Sequence, residues 1–305
     1  HMIEPHTRRL LVTGAGGQVG TKLIAEAAAH GFAAIGTTRA ELDITNRVAV
    51  EAAIAALKPD AVINAAAYTA VDRAESEPEL AEAVNAHAPG LLGVACNRAD
   101  IPLLHVSTDY VFDGSANRPL REEDPVAPLG VYGRSKAEGE VALRRTTENH
   151  IILRTAWVFS PCGSNFVKTM LRLAAQRNEL TVVNDQMGSP SAAIDIAQVL
   201  LTLARLSLDR QASGKTPPRG TWHFCNSGVT SWYEFARAIM ARAAAQGAPA
   251  ARVRPIPTSA YPTPARRPAN SALDCTKLTN DFGIVPRPWT EALDDVLDRL
   301  LAPTH

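Results

Sequence analysis

The stretch VYGRSKAEGE, residues 131–140, sets Tyr132 and Lys136 four positions apart in a segment of helical character. Residues i and i+4 lie one turn apart on one helical face, so a phenol and an ammonium would stand side by side. Reducing a carbonyl requires a proton for the oxygen that becomes an alkoxide, and a phenol with a pKa near ~10 is a sluggish donor at neutral pH. A neighbouring cation favours the phenolate, so Lys136 is expected to lower the Tyr132 pKa towards the working range. A second pair of hydroxyls, Ser107 and Thr108 in HVSTDYVFDG (105–114), follows an apolar run. That position is the carboxyl edge of a strand, where ligands bind in doubly wound folds. Taken alone, Ser107-Thr108-Asp109 is a plain turn and one Tyr-x-x-x-Lys pair is only a hypothesis; the surrounding pattern must supply context.

That context begins with LLVTGAGGQVG, which places Gly14, Gly16, Gly17 and Gly20 between an apolar run and an amphipathic one opened by Gln18 and Val19. The spacing is G-x-x-G-x-x-G rather than G-x-G-x-x-G, but the physical need is the same. Residues without Cβ allow a tight turn and close approach of a pyrophosphate, and a helix N-terminus offers it N–H groups. A nicotinamide dinucleotide is the expected cofactor. An acid at the end of the second strand would favour NADH, but that strand ends IGTTR, with Gly36 and Thr37 there and Arg39 close by. A guanidinium suits a 2′-phosphate, so NADPH is expected, while Glu41 and Asp43 keep NADH open.

Short apolar runs alternate with longer helical patterns through the first half: strands at 9–13, 32–36, 61–64, 102–107 and 150–157, helices between them. Strand, helix, strand in succession predicts an α/β fold, a Rossmann-type doubly wound parallel sheet. The stretch 78–99 reads as helical with an interruption at Pro89. Beyond about residue 160 the alternation weakens, leaving helices at 165–177 and 193–206, a strand at 221–226, and a helix started by Ser231 and Glu234 at capping-box spacing. The proline-rich PIPTSAYPTPARRP (255–268) is expected to stay out of any sheet interior and to run extended over the surface, facing a ligand. The expected organisation is an expression remnant and unstructured leader at 1–6 and a dinucleotide-binding domain at 7–160. A smaller C-terminal α/β substrate-binding domain at 161–305 would follow, with 191–226 returning to the sheet.

Lys plus Arg and Asp plus Glu balance at 31 each, so no basic field points to nucleic acid or an anionic membrane. No run of apolar residues is long enough to span a bilayer, and HMIEPHTRR lacks the apolar core of a signal peptide. Cys96, Cys162, Cys225 and Cys275 are scattered without metal-ligand spacing and are read as reduced thiols. The expectation is a cytoplasmic enzyme with a small-molecule partner and no metal site.

The motifs Gly14-x-x-Gly17-x-x-Gly20, NAAA (64–67), STD (107–109) and Tyr132-x-x-x-Lys136 resemble the extended short-chain dehydrogenase/reductase superfamily. INAAAYTAVDRAESEPELA, STDYVFDG, VYGRSKAEGE, LRTAWVF, NFVKTMLRLA, VNDQMGSP and PTSAYPTPARRPANS narrow the resemblance to the dTDP-4-dehydrorhamnose reductase family, from about residue 9 to 275. The resemblance implies reduction of the C4 ketone of dTDP-4-dehydro-β-L-rhamnose to dTDP-L-rhamnose. Alternatives are another dTDP-4-keto-6-deoxysugar as substrate, or a catalytically silent cofactor-binding subunit, against which the intact Thr108, Tyr132 and Lys136 argue.

Carried over residue by residue, Tyr132 is the proton donor, Lys136 its activator and ribose anchor, and Thr108 completes the triad. Asp43 and Ile44 would lie near the adenine, with Ala65, Ala66, Ala67 and Tyr68 under the cofactor. Thr69, Val71, Tyr110 and Trp157 would line the sugar pocket, although Trp157 also suits a core. Asn165, Gln186 and Arg267 would meet the dTDP moiety, although Asn165 also suits a helix cap. Family members joined through Mg²⁺ use carboxylates at positions where this chain has Lys22 and Ile194, neither a ligand for a hard cation. A monomer or weak homodimer is therefore expected, with Mg²⁺, if at all, accompanying the diphosphate.

Overall fold

The structure, a computed structural model, describes residues 6–303; most of the expected leader, 1–5, and residues 304–305 lie outside the described residues. Six parallel strands form the main sheet: β1 (Arg8–Thr13), β2 (Phe32–Thr37), β3 (Ala61–Asn64), β4 (Leu103–Thr108), β5 (His150–Thr155) and β6 (Gly220–His223). Their order is β6-β5-β4-β3-β1-β2. The chain runs from β1 outward to β2, then returns to the other side of β1 at β3. The crevice beyond the carboxyl ends of β1 and β3 is thus the point where strand order reverses, the place such sheets bind ligands.

Apolar residues cover both faces, as a sheet flanked by helices requires. On one side Leu10, Val12, Ile63 and Leu153 pack with Leu23 and with Ile196, Leu200 and Leu203 of the helix Ala193–Ala212. On the other, Leu11, Val62, Leu103 and Ile152 pack with Val50, Leu92 and Leu143. A separate cluster around Phe159, Val167, Phe235, Leu293 and Val296 holds the C-terminal region, built on helices Phe166–Ala174, Trp232–Ala245 and Trp289–Leu300. Ser231 caps the second of these by accepting from the Glu234 amide at 3.0 Å.

Three local expectations change. The helix after the glycine turn is α-helical only over Gln18–Glu26 and tightens into a 3₁₀ turn at Ala28–His30 before Gly31, whose φ of 83° ends it. The interruption in 78–99 is a π turn at Glu82–His87; Pro89 instead lies in the first turn of Ala88–Ala99, where a missing N–H costs nothing. The strand Glu179–Val183 was not expected. It pairs in parallel with Arg252–Ile256, which carries Pro255 into a two-stranded sheet where every strand is an edge.

The helix Val131–Thr146 carries Tyr132 and Lys136, and it sits directly on neighbouring backbone. A Cβ at Gly133 would lie 2.1 Å from the Tyr110 carbonyl oxygen, and one at Gly139 would lie 1.9 Å from that of Asn85 in the π turn. Asn85 also pins this helix to the loop after β3. Its Oδ1 accepts from the Tyr68 amide at 2.9 Å, and its Nδ2 donates to Ser135 Oγ at 3.1 Å. Gly139→Ala must therefore push the helix off the π turn and is expected to cost roughly 1–3 kcal/mol of stability. Urea unfolding reads this as a lower midpoint at unchanged slope; an unchanged midpoint would mean that the helix does not need this approach.

Candidate active site

A cleft of about 690 Å³ opens at the carboxyl edge of the sheet. Its wall takes in Gly14, Gly16, Gly17, Gln18 and Val19, then Arg39, Asp43 and Ile44 after β2, and Ala65, Ala66, Ala67 and Tyr68 after β3. Packing explains some of the glycines. Gly14 has φ 68° and a Cβ there would lie 2.5 Å from the Ala66 nitrogen, while one at Gly20 would lie 2.0 Å from the Gly14 oxygen. Gly16 and Gly17 differ, since added Cβ atoms would find no protein atom nearer than 3.8 and 3.4 Å. Bare backbone at these two positions leaves cleft space open, as a diphosphate approaching the helix N-terminus needs. Gly17 caps that helix without a side-chain bond, so its first amides are not satisfied by a cap.

Beneath the cleft, Asn64 sets the turn after β3. Its Oδ1 accepts from Thr13 Oγ1 at 2.6 Å and from the Ala66 amide at 3.3 Å, and its Nδ2 meets His105 Nδ1 at 3.0 Å. At the far end both acids near Arg39 are engaged. Glu41 accepts from the Thr38 amide and hydroxyl at 3.1 and 2.8 Å, and Asp43 from those of Thr45 at 3.0 and 2.6 Å. These bonds hold both carboxyls below their usual range.

The chemical groups meet where β4 ends. Consecutive strand residues face opposite sides. Ser107 turns its hydroxyl to the buried Glu140 at 2.5 Å, whereas Thr108 stays beside Tyr132, donating to Asp109 Oδ1 at 3.1 Å and accepting from the Tyr110 amide at 3.2 Å. Lys136 is 2% exposed, and its Nζ donates to the Val106 carbonyl at 2.8 Å. Burial lowers its pKa to about 8, opposed by the charge of Glu140. Burial likewise raises the Tyr132 phenol, and the Thr108 hydroxyl offsets this only in part. The expected lowering of Tyr132 by Lys136 is not found: desolvation of the phenolate sets the direction, and Asp109 and Tyr110 add to it. Asp109, buried beside them, is raised to about 7 by the same desolvation, against bonds from Ser271 and Thr108.

Thr69, Val71, Tyr110 and Trp157 also line the cleft. The Tyr110 ring packs edge-on against Tyr132 with centroids 5.3 Å apart. Trp157 has φ 50°, a strained conformation for a bulky residue. Its indole stacks on Trp232 with centroids 3.6 Å apart, and it lies so close to Gly188 that a Cβ there would be 2.5 Å from the ring. The three residues expected at the dTDP moiety lie outside this wall. Asn165 caps Phe166–Ala174 through the Lys168 amide at 3.2 Å and donates to Gln18 Oε1 at 3.1 Å. Gln186 is buried and donates to Thr258 Oγ1 at 3.2 Å. Arg267 donates to Tyr110 Oη at 2.9 Å and pairs with Asp72 at 2.8 Å.

The RmlD substrate binding domain family profile matches residues 8–302. A dTDP-4-dehydrorhamnose reductase of Aggregatibacter actinomycetemcomitans is 46% identical over 291 residues, covering 94% of this chain and 98% of the relative. The chain belongs to the dTDP-4-dehydrorhamnose reductase family. Among solved structures, the Bacillus anthracis dTDP-4-dehydrorhamnose reductase in complex with NADP is 34% identical, with a TM-score of 0.89 over 96% of this chain and 100% of that one. The Clostridium acetobutylicum dTDP-4-dehydrorhamnose reductase is 37% identical, with a TM-score of 0.88 over 96% and 99%.

In this reductase family member, several residues that hold the site in shape were not expected from the sequence: Asn64, Asp72, Asn85 and Glu140. Asn64, Asp72 and Glu140 lie inside the quoted motifs, but neither spacing nor residue type told what they would bind. The buried Lys136 ammonium carries a testable cost. Its pKa falls from an ordinary 10.5 to about 8 in the folded chain, so below pH 8 the folded state carries the full penalty, about 3 kcal/mol. Between pH 8 and 10.5 the unfolded chain binds more protons, so this group's contribution to stability rises with pH. Urea unfolding of wild type against Lys136→Met should show wild type gaining on the variant across that window, and a constant difference would refute the assignment.

Proposed function

We propose that this enzyme uses NADPH to reduce the C4 ketone of dTDP-4-dehydro-β-L-rhamnose, giving dTDP-L-rhamnose, with Tyr132 as the proton donor. The observation carrying this reading is that Thr108, Tyr132 and Lys136 share one cleft with a glycine turn whose bare positions suit a diphosphate. When bound, NADPH supplies the hydride. Gly16, Gly17 and the first amides of Gln18–Glu26 would receive its diphosphate, and Lys136 its ribose.

The chain's own part is the proton. A phenol kept neutral by burial still holds its proton when the ketone arrives, and an alkoxide is a far stronger base than a phenolate, so transfer from Tyr132 runs downhill. Thr108 orients the ketone oxygen by turning its one hydroxyl proton from Asp109 to it, and the Lys136 ammonium stabilises the phenolate left behind. Burial thus keeps the donor loaded, while the Lys136 ammonium offsets the weaker acidity that burial imposes. Arg39, with Glu41 committed to Thr38 and Asp43 to Thr45, supports NADPH over NADH. The cytoplasm, where sugar nucleotides are pooled, is the setting this reading implies; no helix among the described residues is long and apolar enough to cross a membrane.

Two measurements test the reading. NADPH oxidation by the dTDP-4-keto sugar should fall at least ~100-fold in kcat for Tyr132→Phe, the range for loss of general acid catalysis, with NADPH affinity nearly kept. Equal rates would remove Tyr132 from the chemistry. Arg39→Ala should weaken NADPH binding more than NADH binding in a fluorescence titration; equal weakening would overturn the cofactor assignment.

A further inference from the structure

Glu140 is a buried acid that no step of the proposed reaction touches. It lies one turn beyond Lys136 on the same helix, with no exposure to solvent. Both carboxylate oxygens are occupied: Oε2 accepts from Ser107 Oγ at 2.5 Å and Arg154 Nε at 3.0 Å, and Oε1 from Arg154 Nη2 at 2.7 Å and Arg144 at 3.1 Å. Burial alone would raise this carboxyl, but Arg154, Ser107 and Arg144 bring it below its usual range, so it is ionised at neutral pH.

We infer that Glu140 is a positioning residue for the reductase chemistry: its carboxylate keeps Lys136 charged and locks the end of β4 beneath that ammonium. Two bonds carry the geometric half. Lys136 is tied to the carbonyl of Val106, and Glu140 to the hydroxyl of Ser107, the next residue, so both grip the strand that ends in Thr108. The bidentate Arg154 pair extends the grip to β5, where Ser107 and Arg154 are direct neighbours.

The electrostatic half follows from what else faces Lys136. On its own helix Arg144 lies beyond Glu140, and Tyr132 is a neutral phenol. From β4, His105 is kept neutral by burial and by the charges of Lys136 and Arg144. From β6, His223 is lowered to about 3, again by burial, and pairs with Arg154 at 3.3 Å. Asp109 sits at the end of β4 against Thr108. Charged groups of the helical segments on the far side, Arg73, Glu79, Glu82, His87 and Arg98, are exposed, and Asp72 is engaged by Arg267. Glu140 is thus the buried anion that opposes the cost of desolvating the ammonium. Without it the ammonium would lose its proton near neutrality, and the Tyr132 phenolate its counter-charge.

This inference rests on the proposed reaction for its purpose, but its test does not. The side-chain carbon resonance of Lys136, assigned by its loss in Lys136→Arg, is titrated by NMR in wild type and in Glu140→Gln. The Lys136 midpoint should move to lower pH by about one unit or more, the size expected for losing a close opposite charge. The alkaline limb of kcat/KM should move with it. Glu140→Gln leaves Arg154 unpaired, so if that chain fails to fold, the double variant Glu140→Gln with Arg154→Met removes both buried charges and should show the same direction of shift. A Lys136 midpoint that stays in place, with activity lost equally at every pH, makes Glu140 a purely structural residue and overturns the inference. Failure of the proposed reaction is read separately: wild type would leave NADPH unoxidised while the Lys136 midpoint still moved.

Discussion

The bond from the Lys136 ammonium to the Val106 carbonyl joins the helix that carries the phenol to the strand that carries Thr108. A buried cation is costly, and this one is held in place by a backbone acceptor and by the field of Glu140. The two glycines that bring the helix onto the Tyr110 and Asn85 carbonyls serve the same end, since a helix standing further off could not reach Val106. Asn85 and Asn64 extend this rigidity to the loop after β3, so both walls of the cleft derive their shape from a few buried polar contacts.

The reversal of the Tyr132 expectation follows from that arrangement. A helical spacing of four says that phenol and ammonium share a face, but not how much water remains around them. Once Lys136 is drawn inward to Val106, desolvation acts on both groups, raising one and lowering the other. The proton donor stays loaded, and the cation is present to receive the negative charge.

Much of the fold is legible along the chain. The apolar runs give β1 to β5 nearly to the residue because β1, β3, β4 and β5 are largely buried on both faces and the edge strand β2 is still apolar, and the glycine turn announces itself by position. What the sequence conceals is long-range partnership. Glu140 reads as an ordinary helix acid until Arg154 and Ser107 are brought to it from two strands. Arg267 reads as an anion ligand, yet its charge is met by Asp72, far away in the chain. The strand Glu179–Val183 is short and finds its partner only at Arg252–Ile256, whose proline argues against a strand. The helix Trp289–Leu300 was not expected, although Pro288 before it and Ala292, Leu293, Val296 and Leu297 at helical spacing spell it out. Asn165 had two readings, and the bond to the Lys168 amide supports the cap.

The central claim is that one neutral phenol, held by this helix, faces the reacting carbonyl. The most direct measurement is a crystal structure with NADP⁺ and dTDP-L-rhamnose bound together. The account predicts Tyr132 Oη within hydrogen-bond reach of the sugar C4 oxygen, at about 2.6–3.2 Å, with Thr108 Oγ1 on the same oxygen. A sugar C4 oxygen bonded to some other acid, with Tyr132 turned away from the nicotinamide, would contradict it.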